Sequence, residues 1–210
     1  MIEEAGSIAI IVDDSAALRD SLQSLLRSVG QPSVAHASGK AFLEAPRPEL
    51  PACLVLDVRL QEESGLDLLK ALKRAGVEIP VVVITGHGDI PMSVEAMKAG
   101  AIDFLTKPFR DQELLDAVQR GIELDRQRRA QTGQLASLRE RYATLTPRER
   151  EVMAMVVAGM LNKQIATAFD LKEITIKVHR AQAMRKLEAR SLPELVRMAD
   201  LLGVQAGRTG

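Results

Sequence analysis

The stretch IAIIVDDS, from Ile8 to Ser15, decides the fold. Four of its first five residues are large aliphatics, and two adjacent carboxylates, Asp13 and Asp14, end the run. A short segment this uniformly apolar reads as a strand covered on both faces, the condition of a parallel sheet flanked by helices. Similar segments recur at SVAHA (33–37), CLVL (53–56), VVVIT (81–85) and IDFL (102–105). Helical patterns separate them. Leu18, Leu22, Leu25 and Leu26 share one face of the first, and SGLD opens the third, with Ser64 as N-cap and Asp67 in the first turn. Five strand–helix units in series predict a five-stranded parallel sheet with helices on both faces, and right-handed crossovers narrow it to a doubly wound sheet, for which the usual strand order 2-1-3-4-5 is taken.

In such sheets ligands bind outside the carboxyl ends of the strands, at the switch point. Asp13 and Asp14 end strand one, Asp57 ends strand three, Thr85 ends strand four, and Lys107 follows strand five in FLTKPF. With strands one and three adjacent, three carboxylates converge and need a counter-charge. A divalent cation supplies it, and Mg²⁺ prefers oxygen ligands while keeping several waters. The ion would let an anionic phosphoryl group approach Asp57 as a carboxylate nucleophile. Lys107 would neutralise one phosphoryl oxygen and Thr85 would donate to another. Taken singly, each residue has a plainer role. Asp14 suits a helix cap, Asp57 a turn, and Lys107 a solvated loop.

These stretches carry a resemblance. VDDS, LVLDVRL followed by SG, and VITGHGDIPMSVEAMKAGAIDFLTKPF resemble the receiver domain of two-component response regulators, over residues 7 to about 121. The long GHGDIPMSVEAMKAGA stretch is similar to the FixJ subgroup. The resemblance implies a flavodoxin-like fold with Asp57 as phosphoacceptor. It places Mg²⁺ on Asp14 and Asp57, with Asp13 close by and the Arg59 carbonyl completing the shell. Thr85, Phe104 and Lys107 would be the switch residues. Where the family usually places a proline, the chain has Gln61, followed by Glu62 and Glu63.

Composition agrees with a globular chain. Of 210 residues, 46% are apolar and 27% charged, and no apolar run approaches the roughly 18 residues of a membrane span. The opening MIEEAGS has no signal-peptide pattern. The lone cysteine, Cys53, lies in an apolar run and reads as a buried thiol. A cytoplasmic protein is expected. The formal charge is zero, but residues 1–121 hold 18 acids and 12 bases, whereas 122–210 hold 10 acids and 16 bases. Such asymmetry suggests different partners for the two parts.

Three segments are expected: a receiver-like domain at 1–121, a helical linker at 122–144, and a second domain at 145–210. The linker starts in a helix from Asp111, whose Leu114, Leu115, Val118 and Ile122 can pack on the sheet. Further on, Leu135, Leu138, Tyr142 and Leu145 recur at 3, 4 and 3 spacing. That row suits a short coiled-coil seam between two chains, or a solvated spacer kinked near Gly133.

The last part reads as four short helices. LTPRERE is a helix start with Thr146 as N-cap, Pro147 at N1 and Glu149 closing a capping box. Gly159 ends that helix, Asn162 is expected to cap the next, and SLPEL repeats the capping logic with Ser191, Pro193 and Glu194. Val152, Val156, Ile165, Ala166, Leu171, Ile176, Leu187, Leu195 and Met198 would form the core. The third helix, ITIKVHRAQAMRKL, carries Lys177, His179, Arg180, Arg185 and Lys186. Two short helices with a tight turn, the second basic, suit a helix-turn-helix in the DNA major groove, or else a solvated basic face.

LTPREREV, AGMLNKQIA, ITIKVHRAQAMRKL and SLPELVRMA resemble the LuxR-type helix-turn-helix of NarL/FixJ regulators. The resemblance implies base reading by Lys177 and Val178, with Lys163, Thr175, His179 and Lys186 nearer the DNA backbone. Ala181 stands where relatives place a lysine, and pairing through the last helix is implied. Together the two resemblances imply a transcription factor phosphorylated by a sensor histidine kinase. It would dimerise when phosphorylated, bind a two-fold double-stranded DNA site and contact RNA polymerase. A receiver acting without phosphate is the alternative. A haloacid-dehalogenase-type phosphatase needs a second acid two residues after its nucleophile, where this chain has Arg59. A dinucleotide binder needs a glycine-rich turn after strand one, which is missing.

Overall fold

A computed structural model describes residues 6–61, 64–86 and 90–204. Glu62 and Glu63 therefore lie outside the described residues. The strands are β1 (Ile8–Val12), β2 (Ser33–His36), β3 (Ala52–Asp57), β4 (Val81–Thr85) and β5 (Asp103–Thr106). All pair in parallel, in the order β2-β1-β3-β4-β5. The usual order of a doubly wound sheet, taken from the sequence reading, is the one observed. Helices α1 (Ala16–Ser28), α2 (Gly39–Glu44), α3 (Gly65–Arg74), α4 (Ile90–Ala99) and α5 (Asp111–Ala143) accompany the strands. Every residue of β3 and β4 is buried, which explains their unbroken apolar character. Two apolar layers form, one on each face of the sheet. Ile10, Leu54, Leu56, Leu68, Leu72 and Val83 belong to one. Ile11, Leu26, Val55, Ile84, Leu114 and Ile122 belong to the other.

The chain divides into two compact units, 1–129 and 130–210, and α5 contributes residues to both. The first unit keeps more of α5 than its apolar row announces. Asp125 is fully buried, and its carboxylate accepts from the Ala52 amide at 2.9 Å and from Arg129 Nε at 2.7 Å, with Arg128 on the other oxygen. Arg129 also donates to the carbonyls of Pro48 and Glu49. Residues 125–129 are thus clamped to the amino end of β3 and the segment before it.

Cys53 is buried, as expected, and burial, aided by the Asp125 charge, pushes its thiol up to about 12. A Cβ on Gly121 would lie 2.4 Å from the Cys53 sulfur, so α5 touches β3 only because position 121 has no side chain. Gly121→Ala should cost about 1–3 kcal/mol by overpacking, read as a lower midpoint in chemical denaturation.

In the second unit, α6 (Pro147–Val157), α7 (Asn162–Phe169), α8 (Glu173–Leu187) and α9 (Leu192–Leu202) pack around Val152, Met153, Val156, Ile165, Ile176, Leu187 and Leu195. Leu171 and Met198 lie at the margin of this core. The Thr146–Glu149 capping box is present in both directions, at 3.2 and 2.8 Å. One cap differs from expectation. Leu161, not Asn162, holds the extended N-cap conformation of α7, and its amide donates to Gln164 Oε1 at 2.8 Å.

The 135–145 row also differs. Leu138 and Leu145 are 4% and 3% exposed, buried in the core of this unit. Those two side chains are taken up within the chain, whereas Leu135 and Tyr142 of the same row are half-buried. Nor does α5 break at Gly133. Among the described residues, no helix is long and apolar enough to cross a membrane.

Candidate functional site

Strand register builds the first site. Val12 pairs with Leu56, so the next residues along, Asp13 and Asp57, emerge side by side at the carboxyl edge. Asp57 in turn pairs with Ile84, placing Thr85 one step beyond on the far side. Asp57 lies between the two neighbours. Asp13, Asp14 and Asp57 each offer a carboxylate oxygen within 4.8 Å of the others.

Lys107, just past the end of β5, closes the cluster. Its ammonium donates to Asp57 Oδ2 at 2.6 Å and to Asp13 Oδ2 at 3.0 Å. The Lys107 amide donates to the Thr85 carbonyl at 2.7 Å, which fixes where the side chain starts. Asp13 is fully buried, and its other oxygen accepts from the Ser15 amide at 2.8 Å. Burial pushes its carboxyl above the ordinary 3.8, against the opposing pull of Ser15 and Lys107. The second Asp57 oxygen accepts from the Arg59 amide at 3.0 Å.

Asp14 is half-buried, and the cap of α1 is Ser15 rather than Asp14, which leaves Asp14 free of that plainer role. Thr85 is fully buried at the end of β4. Phe104 pairs with Val83 and packs on an apolar layer.

The second site is the exposed face of α8. Ile176, Ala183 and Leu187 face the core, while Lys177 and Val178 face outward. Lys177 forms an ion pair with Glu173 at 3.0 Å, both side chains about half exposed. Such a pair is worth well under about 1 kcal/mol and is readily exchanged. Lys163 is exposed on α7, whereas Thr175 and His179 are half-buried at the flanks of the α8 face.

Lys186 is engaged elsewhere. Its ammonium donates to Glu149 Oε2 at 2.6 Å and to the Thr144 carbonyl at 3.1 Å. Glu149 is buried, which works to raise its carboxyl. The Lys186 ammonium and the Thr146 amide outweigh burial and hold it below 4.5. A carboxyl depressed on folding stabilises above its unfolded value and ceases to do so as pH falls through the folded one. Melting of the second unit should therefore be flat above about pH 5 and decline below 4.5. Tyr142, the single tyrosine of a chain without tryptophan, is a fluorescence reporter for that unit. Glu149→Gln should flatten the acid decline while lowering the plateau.

Three residues with a definite part in the structure were not singled out from the sequence. Gly65 opens α3 against the strand carrying Asp57, where a Cβ would come 2.0 Å from the Asp57 carbonyl oxygen. The glycine straight after Ser64 was the available signal. Asp125 had arginines three and four residues on, a pattern that also fits a solvated helix. Ile174 is 63% exposed on the α8 face, an aliphatic among bases.

A doubly wound sheet with a lysine-bridged acidic pocket, on one chain with a basic-faced helix-turn-helix, defines a DNA-binding protein governed by a separate regulatory domain. Residues 9–119 match the response regulator receiver domain family, and residues 143–199 match the bacterial regulatory proteins of the luxR family. Nodulation protein W of Bradyrhizobium diazoefficiens is 50% identical over 203 residues, spanning 97% of this chain and 89% of that protein. Transcriptional regulatory protein FixJ of Rhizobium meliloti is 45% identical, spanning 90% and 93%. Among solved structures, response regulator StyR superposes with a TM-score of 0.84 at 44% identity, covering 93% of this chain and 99% of that one. The chain belongs to the response regulators with a LuxR-type DNA-binding domain, and is a two-component transcription regulator.

Proposed function

We propose that Asp57 accepts a phosphoryl group from the phosphohistidine of a sensor histidine kinase. The observation that carries this is the Lys107 ammonium, shared by Asp57 and Asp13 at 2.6 and 3.0 Å. One Asp57 oxygen attacks phosphorus as the N–P bond breaks. The electron pair returns to the imidazole of the donor, and an acyl phosphate forms. Of the two inner acids, Asp13 has no exposed surface, while the Asp57 side chain keeps 9%. Asp57 is therefore the one an incoming group can reach. Lys107 bridges it to Asp13, Thr85 ends the neighbouring strand, and the two would receive phosphoryl oxygens.

The donor set fits Mg²⁺. Three carboxylates offer hard oxygens within 4.8 Å of one another, and among the described residues the Lys107 ammonium that bridges two of them carries one charge against three. Asp13, Asp14, Asp57 and the Arg59 carbonyl would hold the ion, which supplies charge neutralisation to an anion meeting a carboxylate. Arg59 stands two residues after Asp57, where a haloacid-dehalogenase-type phosphatase needs its second acid. Incubation with acetyl phosphate and Mg²⁺ should add one phosphoryl group, located on Asp57 by borohydride trapping and peptide mass spectrometry. Label on any other residue would refute the assignment.

Phosphorylation then favours a state in which Thr85 and Phe104 have moved toward the phosphoryl group, altering the α4–β5–α5 face and promoting homodimers. Two α8 helices would enter successive major grooves of a two-fold DNA site, with RNA polymerase as a further contact, in the cytoplasm. Lys163, Thr175, Lys177, Val178 and His179 form the proposed DNA face. Lys186 joins it only by releasing Glu149. Lys177→Ala should weaken operator binding by about 1–3 kcal/mol in a mobility-shift titration, leaving phosphorylation unchanged. An operator affinity equal to wild type would remove Lys177 from the face.

A further inference from the structure

Ile174 and Val178 are 63% and 51% exposed, one helical turn apart on the same face of α8. Ala181, also exposed, extends the row by a further turn. Lys177 stands within the row and Arg185 beyond it, both exposed, and Lys163 is exposed on α7. Single exposed aliphatics need no explanation. A row of them within a cationic face does, because the cations already suit a polyanion and the aliphatics gain nothing from water. The core face of the helix is filled separately by Ile176, Ala183 and Leu187, so the outer row is not surplus core.

We propose that Ile174, backed by Val178, packs on the C5 methyl of a thymine and is a specificity-determining residue of the DNA site. This rests on α8 being the DNA-reading helix. Ile174 is the second residue of α8, and side chains at the start of such a helix reach base edges. The major groove presents hydrogen-bonding atoms at every base pair, but its one distinctive apolar group is the thymine methyl. An isoleucine with no polar atom can discriminate there only by covering that methyl. The basic surround selects duplex DNA over a protein partner as the occupant.

The test uses the phosphorylated full-length protein and a high-affinity duplex selected from a random library. Each thymine of one half-site is replaced in turn by deoxyuridine, which removes only the methyl. At one position wild type should lose about fourfold in affinity, the value of one buried methyl group. Ile174→Ala should bind the thymine duplex correspondingly less well and be indifferent to deoxyuridine at that position. Lys177→Ala should bind more weakly yet keep the fourfold difference. If no replacement affects wild type, or if Ile174→Ala loses as much as wild type does, the inference is overturned. Loss of the difference in Lys177→Ala would overturn it too. A wild-type protein that selects no sequence at all instead defeats the assignment of α8 to DNA.

Discussion

Asp57→Asn is expected to reduce phosphoryl labelling by acetyl phosphate to background and to remove any phosphodonor-dependent gain in operator affinity. An amide has the shape of the carboxylate but no anionic oxygen to attack phosphorus, so the chemical step is lost outright. The fold should survive. The amide oxygen can still accept from Lys107 or the Arg59 amide, which donate to the two Asp57 oxygens at 2.6 and 3.0 Å. The exchange also removes one negative charge from a crowded cluster, which does not weaken the apo state. Intact-protein mass spectrometry and a thermal melt on the same sample check both halves. A labelled mutant that melts like wild type would mean that another group is the acceptor.

Asp125→Ala should lower the stability of the first unit by about 3 kcal/mol, roughly a 10 °C fall in its thermal transition. The carboxylate is fully buried and is the acceptor for the Ala52 amide, itself without exposed surface. Its loss leaves a buried donor unpaired, next to a charge-assisted bond that is gone. The two arginines are each about one-third exposed and can turn to water, which holds the cost below that of a sealed ion triad. The Tyr142 signal of the second unit should be unaffected at its own transition. A first transition within about 2 °C of wild type would show that the clamp adds little.

Much of this protein was legible one segment at a time. Aliphatic runs such as 53–56 and 81–85 announced buried parallel strands, and their alternation with helices implied a doubly wound sheet, whose usual strand order is the one found. Asp13, Asp57, Thr85 and Lys107 were placed on one edge because a strand end is a local property and the sheet type fixes which ends are neighbours. The Thr146–Glu149 capping box was readable for the same reason, its two hydrogen bonds spanning three residues.

Tertiary structure alone decided the rest. Asp125 resembles any solvated helix acid until Ala52, 73 positions away, donates to it. Lys186 looked like one more base for DNA until packing set it against Glu149, 37 positions earlier. Leu138 and Leu145 had the spacing of a seam, and only the fold showed that a core within the chain had taken them. Periodicity and capping depend on residues within a turn or two, so sequence determines them. The partner of a charge or a leucine is set by which distant segments the core draws together, and no local pattern records that.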